Sequence, residues 1–122
     1  MMRDDRRNLI VDKSIDFAIS IVKYCELLDE LRKFIVSRQL LRSGTAIGAN
    51  VFEAQNAEST ADFIHKMKIA AKESSETLYW LILCERCEGY GFNKRVREDL
   101  DEIIRILSKI IATAKRRKHG LL

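Results

Sequence analysis

At 122 residues the chain has the length of one domain, enough for a single core that buries roughly two-thirds of the unfolded surface. A hydrophobic fraction of 47%, a charged fraction of 33%, five glycines and no proline predict helices joined by short connections and exclude a strand-rich or low-complexity chain. Net charge is +4. Three cysteines without a charged-then-apolar leader predict reduced thiols in a cytoplasmic protein, and the longest apolar run, Leu78 to Cys84, falls far short of the roughly 20 residues of a membrane span.

Taken in chain order, the first helix is expected over about 13–28, with Asp12 as its N-cap and Phe17, Ile21, Tyr24 and Leu28 as its apolar stripe, flanked by Ala18, Val22 and Cys25. Its end carries no Gly, Pro or Asn. A turn is nevertheless expected near 29–33, because a single helix running on to residue 55 would span roughly 60 Å at 1.5 Å per residue, out of proportion to the rest.

The second helix, about 33–55, contains Gly44 and Gly48 four residues apart on one face. Mid-helix glycine costs about 1 kcal/mol against alanine. The pair therefore reads as a close approach to a facing backbone or bulky side chain, in preference to a hinge. The third helix, about 60–87, opens at Ser59-Thr60-Ala61-Asp62, a capping-box-like signal with Asp in place of Glu. Phe63, Met67, Ala70, Ser74, Leu78 and Leu81 form one stripe, with Ile64, Ala71, Ser75 and Ile82 beside it. Such width predicts contact with two neighbours and apolar surface left over for oligomerisation.

The fourth helix, about 94–118, is the clearest: Val96, Leu100, Ile103, Leu107, Ile110 and Ala114 recur at spacings of four and three, the signature of a heptad seam. Asn93 is its expected N-cap, Glu98, Asp99, Asp101 and Glu102 crowd its early turns, and Lys115, Arg116, Arg117, Lys118 and His119 close its end, so charge follows the helix dipole. The expectation is one all-α domain over 1–122, an antiparallel up-down-up-down four-helix bundle. The last segment, 91–122, holds nine basic and four acidic residues, which makes Lys115, Arg116, Arg117 and Lys118 the candidate footprint for a polyanion.

No catalytic constellation emerges. Cys84-Glu85-Arg86-Cys87 with Cys25 would give three thiols at one end of the bundle, yet His65 and His119 are expected far from them, so small buried apolar thiols are favoured over a zinc site. A single Asp62-Phe63-Ile64-His65 does not make a di-metal bundle, and Ser74 and Ser75 have no histidine within a turn. The residues point to no enzyme, no cofactor and no metal. Arg42, Asn50, Glu53, Glu73 and Glu76 fall near one another once the second and third helices run antiparallel, and read as a structural polar network fixing register within the bundle or between subunits, in preference to a ligand site.

The run Arg42 to Asn50 with Glu53-Ala54, and on the third helix Phe63, Lys66-Met67, Ile69-Ala70, Lys72-Glu73, Glu76-Thr77 and Tyr79-Trp80-Leu81, resembles the bacterial four-helix bundle proteins encoded in intervening sequences of 23S ribosomal RNA genes. The resemblance extends from about Asp12 to Lys115. It implies a four-helix bundle, assembly into a ring-like homo-oligomer, a pentamer, and kinship with the accessory protein of diversity-generating retroelements, which works with RNA and a reverse transcriptase. It supplies no catalytic residues. Together these readings lead to a non-enzymatic homo-oligomeric scaffold, its partners further copies of itself and RNA reached through basic surfaces. The alternatives are a protein-binding adaptor without a nucleic-acid role and a retroelement accessory protein.

Overall fold

The computed structural model describes residues 5–120, with side chains from Leu9 onward, and holds four helices: α1 (Asp5–Glu30), α2 (Phe34–Ala54), α3 (Thr60–Arg86) and α4 (Lys94–Lys118). Each packs on the next and α4 returns to α1. Cross-helix neighbours fix the directions. Gly48 lies against Ser14 while Ser37 bonds Cys25, Arg42 reaches Glu73 while Glu53 reaches Lys66, Arg97 meets Glu85, and Lys13 meets Glu102. Every pair is antiparallel, so the chain forms an all-α up-down-up-down bundle.

The core runs along the bundle axis. Val96, Leu100, Ile103, Leu107 and Ile110 are the buried seam of α4, facing Phe17, Ile21 and Leu28 of α1, Leu40 and Ile47 of α2, and Met67 and Leu81 of α3. Polar side chains inside it are small and satisfied: the buried Thr77 hydroxyl donates to the Glu73 carbonyl at 2.8 Å and pairs with the Ser43 hydroxyl at 2.9 Å, and the buried Ser74 Oγ donates to the Ala71 carbonyl at 2.6 Å. A buried hydroxyl left without a partner would cost about 1–3 kcal/mol, so these bonds are a condition of close packing.

Helix α1 departs from expectation at its start. It begins at Asp5, and Asp12 is an exposed residue within it, because the apolar spacing continues upstream: Ile10, Ser14, Phe17 and Ile21 are all buried on one face. Its end is set by backbone conformation. Arg32 adopts a left-handed φ of 63°, its N–H bonds the Asp29 carbonyl at 2.9 Å, and the Lys33 N–H reaches back to the Leu28 carbonyl at 2.8 Å. This is a Schellman stop with arginine where glycine usually sits, so the residue type does not announce the turn.

The other ends match their signals. Ser59 Oγ accepts from the Asp62 N–H at 3.0 Å, while the Asp62 carboxylate reaches past Ser59 to the Glu58 N–H at 3.1 Å; Asn93 Oδ1 accepts from Arg95 at 3.0 Å and Val96 at 3.3 Å. Gly91, at φ 54°, brings the α3–α4 loop onto Leu27 so closely that an added Cβ would lie 3.0 Å from its Cδ2. Surplus apolar surface does not lie on α3 as expected. Tyr79 is the exposed large apolar residue there among the described residues, and the remainder, from Leu9 to Phe52, belong to α1, α2 and their turn. No helix among the described residues is long and apolar enough to cross a membrane.

Candidate nucleic-acid interface

The antiparallel packing of α3 on α4 brings the first turns of α3 beside the last turns of α4. Lys115, Arg116, Arg117 and Lys118 are exposed there, and the His119 N–H bonds the Lys115 carbonyl at 3.1 Å as the helix closes. Cations at a helix C-terminus are favoured by its dipole. From α3, the exposed Lys68 comes against Lys115, and this second ammonium group holds the Lys68 side chain below the ordinary lysine range. His65 and Lys72, three residues before and four after Lys68, share its exposed ridge. Lys68 is not among the residues expected from sequence. Its signal, the spacing of His65, Lys68 and Lys72, becomes meaningful only once the end of α4 is known to lie beside it.

Arg42, Glu73 and Glu76 do meet across α2 and α3: Arg42 bonds Glu73 at 3.1 Å and also bonds Glu76, which accepts from the Trp80 Nε1 at 3.1 Å. The Trp80 bond, followed by Arg42, keeps the Glu76 carboxyl below the usual carboxylate range. The cluster departs from the expected network in two ways. It lies at the surface, with the Arg42 side chain half exposed, and Asn50 and Glu53 stand outside it. Asn50 donates to the Ala46 carbonyl of its own helix at 2.9 Å, because its side chain points along α2, and Glu53 faces Lys66 at 3.9 Å.

Gly44 and Gly48 both face α1. A Cβ on Gly44 would lie 2.9 Å from Ile21 Cγ2, and one on Gly48 3.3 Å from the Ser14 carbonyl oxygen. On the outer side of this contact, Ile15, Ile19 and Val22 with Phe52 border a groove of about 470 Å³.

The thiols divide. Cys25 and Cys84 are buried near Tyr24, whereas Cys87, one residue past α3, is exposed, contrary to a reading of all three as interior thiols. Cys25 Sγ donates to the Ser37 carbonyl at 3.4 Å while Ser37 Oγ donates to the Cys25 carbonyl at 3.2 Å, and the Tyr24 hydroxyl donates to the Tyr90 carbonyl at 2.8 Å. Burial pushes the Cys25 thiol up to about 11 and raises Cys84 as well. These are unreactive groups. Among the described residues no three His, Cys, Asp or Glu side chains gather as metal ligands would.

A family model described as 23S rRNA-intervening sequence protein matches residues 6–112. The chain belongs to the 23S rRNA-intervening sequence protein family. A solved member of what is termed the S23 ribosomal protein family, a protein of unknown function from Bacteroides thetaiotaomicron VPI-5482, is 45% identical, with 88% of this chain and 98% of that one covered at a TM-score of 0.80. No curated protein matches. In this family member the matched span contains all of α2 and α3 and ends just before the basic cluster of α4.

Proposed function

We propose that this family member is a non-enzymatic, homo-oligomeric helical scaffold that associates with RNA through the cations at the adjoining ends of α3 and α4. The observation that carries the reading is the contact between Lys68 and Lys115, two ammonium groups from different helices with no carboxylate paired to either among the described residues. Such a contact is unfavourable in the free protein and is relieved when a polyanion supplies the missing negative charge. Exposed Arg116, Arg117 and Lys118 widen the same footprint. The family's description names 23S rRNA, which favours RNA among polyanions. A non-catalytic role is supported by hydroxyls such as those of Ser74 and Thr77 being spent on backbone carbonyls.

The test is RNA binding by fluorescence anisotropy across a salt series, for the parent, for Lys68→Ser, and for a variant with Lys115, Arg116, Arg117 and Lys118 all replaced by serine. Affinity should fall in both variants with little dependence on RNA sequence, and the slope of log affinity against log salt should become shallower by about 0.7–0.9 for each phosphate no longer neutralised. A parent that binds no RNA at low salt overturns the reading. So do variants whose affinity and salt slope match the parent's.

A further inference from the structure

We infer that the RNA taken by this protein is single-stranded and lies along the outward face of α3, with phosphates on Lys68 and Lys72 and a base stacked on Tyr79; this rests on the RNA association proposed above and adds the form of RNA it selects. His65, Lys68, Lys72, Ser75 and Tyr79 follow at spacings of three and four, and Arg86 continues the row two turns on; all are exposed. The row contains no acid. Lys68, Lys72 and Arg86 have no ion-pair partner among the described residues. Glu73 and Glu76, on the side of α3 toward α2, both bond Arg42, and Glu85 bonds Arg97 at 3.3 Å, so these neighbouring carboxylates are already paired. At 1.5 Å per residue the stretch from Lys68 to Tyr79 is roughly 16 Å, the reach of a few nucleotides.

Tyr79 decides the form of the RNA. It is 56% exposed and stands apart from the other ten exposed large apolar residues, which lie on α1, α2 or the turn between them. An isolated aromatic among cations lacks the anatomy of an apolar protein contact and has the pairing of ring and charge with which single-stranded nucleic acid is held. The ring is also braced. It meets the Trp80 ring edge to face, centroids 5.1 Å apart at 76°, and the Trp80 Nε1 donates to Glu76 at 3.1 Å. A braced ring loses little conformational freedom when a base covers it. Lysines alone serve duplex and single strand alike, because both present phosphates. Bases inside an A-form duplex are stacked on one another and cannot cover a side-chain ring, whereas a splayed single strand offers them. Stacking tolerates every base, in keeping with a site of low sequence preference.

Fluorescence anisotropy on the purified full chain tests this with two labelled probes, an unstructured RNA of about 12 nucleotides and the same strand annealed to its complement. Tyr79→Leu keeps apolar bulk against Trp80 and a good helix former while removing the aromatic face. It should weaken single-strand binding at least about fivefold, change duplex binding less than about twofold, and keep the parent's salt slope, since no charge is lost. Tyr79→Phe, which retains the ring, should bind the single strand within about twofold of the parent. If Lys68→Ser weakens binding while Tyr79→Leu binds the single strand like the parent, or loses single-strand and duplex affinity alike, the inference fails and the RNA reading stands. A parent that binds neither probe at low salt ends both. Should Tyr79→Leu lose its helical circular dichroism, Tyr79→Gln is measured in its place and the same outcomes decide.

Discussion

Replacing Gly44 by alanine sets helix propensity against packing, and the structure says which wins. In an open helix interior the change would stabilise by about 1 kcal/mol. Here the new methyl carbon would lie 2.9 Å from Ile21 Cγ2 and 3.0 Å from its Cγ1, on a fully buried, β-branched side chain that is stiff at χ1. Overfilling a packed contact costs roughly 1–3 kcal/mol, so the net effect of Gly44→Ala should be a loss of about 0–2 kcal/mol. Ile21→Ala removes both offending carbons and leaves the Ile21 Cβ position 3.4 Å away, an ordinary contact, at its own cost of about 2–5 kcal/mol. In that background Gly44→Ala should stabilise by roughly 1 kcal/mol, because only the propensity gain survives. Chemical denaturation followed by circular dichroism, at one fixed chain concentration so that assembly does not shift the midpoint, measures all four corners of the cycle. A gain of about 1 kcal/mol from Gly44→Ala in the parent itself would refute the close approach as the reason for glycine there.

Arg32→Gly should stabilise by about 0.5–1 kcal/mol, since a left-handed residue with a Cβ costs roughly 1–2 kcal/mol and the added freedom of the unfolded chain offsets part of the gain; a lower thermal midpoint would contradict this. Ser59→Ala removes the acceptor for the Asp62 N–H and should cost about 0.5–2 kcal/mol by denaturant titration, with an unchanged midpoint counting against the cap. Stability should decline as pH rises above 9.0, because the unfolded chain then releases the Cys25 proton that the folded protein keeps until about 11. Cys84, also raised by burial, acts in the same direction. Thermal midpoints that stay flat between about pH 8 and 11 would show that the thiols are not held in an apolar interior.

The architecture was legible in the residues because helix boundaries and seams are local. The heptad spacing of α4, the Asn93 and Ser59 caps and the run of apolar positions from Phe17 to Leu28 depend on side chains three or four residues apart, and the structure places them accordingly. Local signals also failed locally: Asp12 has a capping residue's chemistry but lies on the exposed side of a helix that is already under way at Ile10, and Arg32 adopts a conformation its side chain does not advertise.

Which surfaces face which was decided only by the tertiary structure. Whether Val22 or Leu78 is covered depends on how far each helix is rotated about its axis, and one row of residues looks the same in sequence whether it meets a neighbour or solvent. The rotation left Ile15, Ile19 and Val22 outside and half-buried Leu78, moving the surplus apolar face from α3 to α1 and α2. The same holds for charge. The basic tail could be read from consecutive residues, but Lys68 joins it across 47 positions of sequence, and Asn50 leaves the Arg42 cluster for the Ala46 carbonyl of its own helix. Patterns within a helix turn are written in the order of the residues, whereas contacts between helices are set by the crossing geometry of all four at once.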